Sequence, residues 1–446
     1  MNIICAYTAN VDAVCNIWVE GISRLLPADM KIELVQSIGS LEDLQSCLLF
    51  CLKHGSGAEI LIENEAVALQ IEESFSWQYR LGGNGAIMAN VLAALGENPI
   101  LNAPAMGPKL AEMLHARVCV PDGQSSELVC EAARNRADRG EAQKDDQNAI
   151  QDDEKEMVHF VFQFKKGDSI SLGKSSIIAP KDNRFIATYD TVNTKLLTSR
   201  NFDSYCLENI RDINAALLSG FHLAPLDDYE DIFTQRIAQI RSWKERNPQI
   251  FIHAEMGSFQ SPEIMQSLLL HLSKIPVDSL GLNEDELAAS EGLKAGSSLS
   301  SWQDSMRSAI RLRESLGIFR VAVHTRDYIL SVMQQGKIAA REELFALQKG
   351  VEAAAALAAT GLAAAQPPNE ISPQGLEGVV EFCCKGAAAS GRGAFLHQGD
   401  TIISLIPSLL VKQPKITVGL GDTATATIFF QELMAIKEKS VWFTRN

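Results

Sequence analysis

The sequence predicts an α/β layered fold, and three observations carry that reading. Short β-type runs alternate with longer stretches of helical spacing. Gly82–Leu95 (GGNGAIMANVLAAL) opens on glycines and continues in helix formers, as a loop running into a helix does. From Leu207 onward, strand-like and helical segments alternate regularly.

In chain order, Asn2–Ala9 is a β-type run, Leu41–His54 has helical spacing and Glu59–Ile62 is a second short run. Glu131–Glu156 has no aromatic residue and almost no large aliphatic one, so it cannot bury enough apolar surface to offset its ordering entropy. It reads as a mobile insertion or an exposed, frayed helix. Val158–Phe164 (VHFVFQF) alternates as a strand does, and Ser176–Ala179 and Arg184–Tyr189 continue in that style, which suggests a β-rich second lobe. Ala216–Gly220, Ile250–His253, Ser279–Leu282 and Phe319–His324 are strand-like again. Glu352–Ala365 is an alanine-rich helix expected to pack on a sheet, ended by Gln366–Asn369. Gly386–Gly393 reads as a flexible loop, and no internal repeat is evident.

A chain of 446 residues is long enough for two lobes. Forty basic against 55 acidic residues leave a net charge of −15, which argues against nucleic acid or an anionic membrane as partner. No apolar run approaches the roughly 20 residues that span a bilayer, and Met1–Asn10 lacks a basic leader region, so a cytoplasmic protein is expected. The nine cysteines are irregularly spaced without a C-x-x-C pair. That spacing suggests neither a disulfide framework nor a zinc site, and Cys5, Cys15, Cys47 and Cys51 read as core residues.

Five segments could carry chemistry. In Thr417–Phe430 (TVGLGDTATATIFF) a β-type pair leads into Gly419-Leu420-Gly421-Asp422, and a helix is expected to begin after Asp422. Glycines there let backbone amides approach an anion, and the helix points its positive end at it. An Asp would repel a phosphate that is merely bound, but it suits a base that takes a proton from an attacking hydroxyl. In Gly281–Leu287 (GLNEDEL), Asn283 and Glu286 form an N-x-x-E pattern whose oxygens suit Mg²⁺. An acidic first helical turn stabilised by the helix dipole explains the same pattern. Ile252-His253-Ala254-Glu255 puts an acid at a strand end, where ligands of open α/β sheets gather. Asn10 and Asp12 in YTANVDAVCNI follow the first strand and suit a polyol or an ordinary turn. Gly82-Gly83 in RLGGNGAIMAN suits a hinge, a close ligand contact or a plain tight turn.

Together the five, in this order, resemble the ribokinase-like superfamily and in detail the ADP-dependent phosphofructokinase/glucokinase family. The resemblance extends over most of the chain. It includes NVDA, GGNGAIMAN, APKDNRFIA (Ala179–Ala187), LSGFH (Leu218–His222), IHAE, LNEDEL, VHTRDY (Val323–Tyr328) and VKQPKITVGLGDT. It implies a ribokinase-like large domain, with a central mostly parallel sheet and helices on both faces, from residues 1–10, 78–118 and 205–446. Residues 11–77 and 119–204 would form a smaller β-containing lid, with the insertion at 131–156.

The resemblance further implies transfer of the β-phosphoryl group of ADP to a sugar hydroxyl with release of AMP. Asp422 would be the catalytic base, and Gly419, Leu420 and Gly421 the anion hole. Glu286, with Asn283 and Glu255 through waters, would organise Mg²⁺. Asn10, Asp12, Glu59, Gly82, Gly83 and Asn84 would contact the sugar, and His324, Thr325, Val411 and Gly421 the nucleotide. A phosphorylated sugar needs cations beside the lid, and Lys165, Lys166, Lys181 and Arg184 lie in that region, Lys166 and Arg184 being taken as the contacts. Ala58-Glu59 resembles the pair found in phosphofructokinases, so fructose 6-phosphate is expected, with glucose, or both sugars, as the alternative. An ATP-dependent kinase of the same fold and a non-catalytic sugar or nucleotide sensor are the further alternatives. Oligomeric state is open.

The match departs from the family in three places. TATATIFF replaces a more serine-rich run, Glu131–Glu156 has no counterpart, and Asn84 stands where some members carry Gln.

Overall fold

The computed structural model describes residues 1–16, 31–121, 157–172, 175–275, 277–292, 299 and 301–445, with side chains to residue 439. The segment 131–156 lies outside the described residues.

Ten strands form the main sheet. Six run parallel, in the order Arg320–His324, Ser279–Asn283, Phe251–Glu255, Ala215–Leu218, Ile3–Ala6 and Ile100–Leu101. Four antiparallel strands extend the sheet beyond Arg320–His324: Tyr328–Gln334, Thr401–Pro407, Gly393–Gln398 and Ala388–Ser390. The parallel strands are covered on both faces, which is why they read as short continuous apolar runs. Ile4, Ala6, Ala216 and Leu218 pack into one core with helices Tyr229–Arg246, Pro262–Leu272 and Trp302–Leu316. Their neighbours Ile3, Cys5, Ala215 and Leu217 turn to the other face, against helices Asn84–Ala94 and Leu420–Arg445. The fold is therefore α/β with a mostly parallel sheet between helical layers, as expected.

A second sheet of five strands runs Ala58–Leu61, Asn183–Tyr189, Val158–Phe164, Asn10–Asn16 and Gln78–Gly82. Phe160, Phe162 and Phe185 fill the core between this sheet and helix Leu41–His54. That helix starts on a Ser40 cap and ends on left-handed Gly55. Alternate residues of the same strands, His159, Val161, Arg184 and Ile186, turn to a cleft between the two sheets.

Several expectations need correction. Gln78–Gly82 was expected in the large part, but it pairs antiparallel with Asn10–Asn16, so the chain crosses over after Gly82. Helix Arg200–Asn209 packs Phe202 and Cys206 into the large core, so the second crossover precedes residue 200. Gly386–Gly393 is not a simple loop: Ala388–Ser390 forms the edge strand and a tight turn returns it to Gly393. No strand leads into Gly419, because the amides of Lys415 and Ile416 bond to the Ala358 carbonyl instead. Cys119 is disulfide-bonded, against the cysteine reading, while Cys5, Cys15, Cys47 and Cys51 are buried, as expected. No helix among the described residues is long and apolar enough to cross a membrane.

Candidate active site

The parallel strands end together at the cleft, which encloses about 960 Å³. Ile3–Ala6 delivers Thr8 and Asn10, Ala215–Leu218 delivers His222, and Ser279–Asn283 ends on Asn283. Phe251–Glu255 and Arg320–His324 end on Glu255 and His324, which meet each other there. Main-sheet loops form one side of the cleft and the five-stranded sheet forms the other.

Two helix N-termini point into this space. Gly83, in a left-handed conformation (φ 78°), caps helix Asn84–Ala94. Gly419 (φ 73°) makes the turn into Leu420–Arg445. The second helix begins at Leu420, earlier than expected, because the reversal occurs at Gly419 and not at Gly421. Asp422 therefore lies in the first turn, where amides lack intrahelical partners and the dipole favours an anion. Asn84 Nδ2 donates to Asp422 Oδ1 at 2.7 Å and ties the two N-termini together. Asp422 is 9% exposed, and burial pushes its carboxyl up to about 6 against the opposing pull of the Asn84 hydrogen bond. A Cβ at Gly421 would lie 3.2 Å from His324 Cε1, so a side chain there would press the imidazole back by a few tenths of an ångström.

Glu255 accepts three hydrogen bonds. Its Oε2 accepts from Thr425 at 3.1 Å and lies 3.0 Å from His253 Nε2, and its Oε1 lies 2.7 Å from His324 Nε2. Burial pushes its carboxyl up, but the His253 and His324 hydrogen bonds outweigh this and bring it to about 2. For His324, burial favours the neutral ring, yet the Glu255 hydrogen bond and charge raise it to about 9, so it is a cation beside the glycine turn. Asn283 and Glu286 form a capping box: Asn283 Oδ1 accepts from the Asp285 and Glu286 amides, and Glu286 accepts from Asn283 N and Nδ2. Burial pushes Glu286 up to about 7.

These contacts decide how a divalent cation would fit. Among the described residues no group of three or more His, Cys, Asp or Glu is arranged to hold a metal directly. Glu255, Asn283 and Glu286 each already accept hydrogen bonds, so a cation would meet their remaining lone pairs through water. Glu286 and Asp422 line one cleft, and the charge of Asp422 adds to the burial that raises Glu286. Such a pair fits a hydrated cation held through water, as Mg²⁺ prefers.

Toward the five-stranded sheet, Asn10 Nδ2 donates to Asp12 Oδ1 at 2.9 Å. Asn10 Oδ1 is buried with no partner among the described residues, an acceptor facing Gly83. Gly82 does not line the cleft. A Cβ there would come within 2.1 Å of Asp12 Oδ1 and 2.4 Å of Asn10 Nδ2, so it makes room for the two polar side chains. Glu59 lines the cleft and accepts from Thr188 Oγ1 at 2.8 Å. Arg184 lines it as well, whereas Lys166 is exposed in the turn after Phe164, outside the lining.

Thr325 and Val411 line the other end, where the Thr325 hydroxyl is engaged in its own turn with Tyr328. Three contributions escaped the sequence reading. His159 lies 2.9 Å from Asp190 Oδ2 in the cleft wall; burial disfavours its charge, but Asp190 raises it to about 9. His222 has a buried Nδ1 without a partner among the described residues. Val351, Ala354 and Ala358, on helix Ala340–Thr360, form an apolar wall beside Val411.

The raised Asp422 carboxyl has a consequence for stability. A folded-state value above the unfolded one favours folding at low pH, and that contribution is lost as pH rises from about 4 through about 6. Asp422→Asn should therefore stabilise the ligand-free protein at pH 7 by roughly 2 kcal/mol, with the gain gone near pH 4. Denaturant midpoints at the two pH values check this; equal midpoints at pH 7 would contradict it.

Residues 1–431 match the family model of the ADP-specific phosphofructokinase/glucokinase conserved region. An ADP-specific phosphofructokinase of Methanosarcina acetivorans is 25% identical, over 97% of this chain and 93% of that one. An ADP-dependent glucose/glucosamine kinase of Pyrococcus furiosus is also 25% identical, over 96% and 94%. Among solved structures, an ADP-dependent kinase in complex with fructose-6-phosphate and ADPβS superposes with a TM-score of 0.78 at 23% identity, covering 98% of this chain and 94% of that one. A hypothetical ADP-dependent phosphofructokinase from Pyrococcus horikoshii OT3 gives 0.76 at 24%, covering 98% of both. The chain thus has the ribokinase-like architecture of these structures, and it belongs to the ADP-specific phosphofructokinase/glucokinase family.

Proposed function

We propose that this chain phosphorylates fructose 6-phosphate from ADP, in the cytoplasm, giving fructose 1,6-bisphosphate and AMP. The observation that carries the reading is the buried Asp422 carboxylate at a helix N-terminus, shared between the two ends of one cleft. Asp422 takes the proton of the attacking hydroxyl, and an acid held near 6 is ionised at neutral pH while still basic enough for that task. The amides of Gly419, Leu420 and Gly421 face the phosphoryl group as charge redistributes, and the cationic His324 adds to that field. Asn10, Asp12, Glu59 and Gly83 hold the sugar, with His159 beside them, and Asn84 fixes the base. Gly82 shapes that pocket from behind. Val411 and the alanine wall hold the adenine, with Thr325 at their edge. Glu286 would hold hydrated Mg²⁺ through water, and the ion would neutralise charge on the nucleotide phosphates.

Arg184 is the observation that favours a sugar phosphate, because it sets a guanidinium at the sugar end of the cleft. A second reading, glucose as acceptor, is favoured by Asp12 and Glu59, acids suited to neutral hydroxyls. Turnover of both sugars with ADP or ATP, each with Mg²⁺, separates the readings. The expected result is activity with ADP and fructose 6-phosphate; preference for ATP, or for glucose alone, would overturn it. Arg184→Gln should raise the KM for fructose 6-phosphate at least about tenfold, as loss of a charge-assisted phosphate contact does, with the KM for ADP nearly unchanged. An equal rise in both would remove Arg184 from the sugar site.

A further inference from the structure

Behind the glycine turn runs a line of buried polar groups to which the proposed reaction gives no role. Arg320 starts it, with Nε 2.8 Å from both Glu343 Oε1 and Glu432 Oε1. Arg320 Nη1 donates to Ser279 Oγ at 3.2 Å, and Ser279 Oγ lies 2.9 Å from His253 Nδ1. His253 Nε2 then meets Glu255 Oε2, and Glu255 Oε1 meets His324 Nε2. Sheet register creates the line: His253 is paired with Ser279, and Ser279 with Arg320, on three adjacent parallel strands. Arg320, Ser279, His253 and Glu255 are all buried, and only His324 reaches the cleft.

The hydrogen-bond inventory gives the line a direction. A carboxylate only accepts, so the His253 hydrogen that meets Glu255 Oε2 sits on Nε2. Nδ1 is then the acceptor and takes the hydrogen of Ser279 Oγ, whose lone pair receives Arg320 Nη1. Thr425 donates to the same oxygen from the helix that carries Asp422. With Oε2 held from two sides, Oε1 is turned to His324.

We infer that Arg320 and Ser279 are positioning residues of the nucleotide site: through His253 they fix the Glu255 carboxylate that holds His324 against the glycine turn. The inference rests on the reading of His324 as a nucleotide contact. Without the Ser279 hydroxyl, His253 Nδ1 loses its partner and the ring is free to turn, so Nε2 no longer holds Glu255 Oε2 and the carboxylate is released from its place against His324.

The test measures ADP affinity by calorimetry in Ser279→Ala, Ser279→Thr, His324→Gln and the Ser279→Ala/His324→Gln double variant, together with imidazole ¹⁵N spectra assigned through His253→Asn. Ser279→Ala should weaken ADP about tenfold, the scale of one hydrogen bond to a charged group, and leave sugar affinity unchanged. Ser279→Thr should restore ADP binding. In the His324→Gln background Ser279→Ala should cost nothing further, since both act through one group. If His324→Gln leaves ADP affinity intact, the nucleotide reading of His324 fails and takes the inference with it. If His324→Gln weakens ADP but the Ser279→Ala loss adds in full, the inference alone is wrong. Should Ser279→Ala not fold, the wild-type spectrum still decides: hydrogen on His253 Nε2 supports the inference, and hydrogen on Nδ1 overturns it.

Discussion

The hydrogen bond from Asn84 to Asp422 joins two helix N-termini that lie far apart in the chain, and the site is organised around it. The Gly85 and Ala86 amides of one terminus are taken up by Thr8, and the first turn of the other brings the positive end of its dipole to Asp422. Burial pushes Asp422 up to about 6 against the Asn84 hydrogen bond, and burial likewise pushes Glu286 up to about 7. An enclosed cleft with two such acids is poorly satisfied when empty, which is a cost borne for chemistry and not for stability.

The two sheets divide the work through the direction of their strands. The parallel strands bring Asn283 and His324 to the cleft, with Glu255 buried behind His324. The five-stranded sheet turns Arg184 and His159 into it from the other side. The chain passes from the first sheet to the second just before Asn10 and returns at Gly82-Gly83. A side chain at either glycine would strike Asn10, Asp12 or the Ala9 backbone, so the crossing and the pocket are one construction.

Much of this was legible in the sequence because local patterns report local forces. Buried parallel strands must be apolar throughout, so Ala215–Leu218 and Arg320–His324 stood out, and glycines before a helix former marked both N-termini. The same locality explains the misses. Pairing decides that Gln78–Gly82 belongs to the smaller sheet, and pairing is not written in the strand itself. The N-x-x-E pattern allowed a capping box or a metal group, and the capping box forms because Glu286 turns back to Asn283. His159 gave no signal because its charge comes from Asp190, 31 residues away. The alanine-rich helix was read as packing alone. Its small side chains also leave room for a ligand, visible only once Ala354 and Ala358 face the cleft.

The central claim is that one buried carboxylate moves the proton. Turnover of Asp422→Asn under saturating ADP and sugar, with both affinities measured by calorimetry, tests it most directly. The account requires turnover to fall about 10²–10⁴-fold while both ligands still bind nearly as before. An asparagine variant that turns over within a few-fold of the parent would show that the proton leaves by another route.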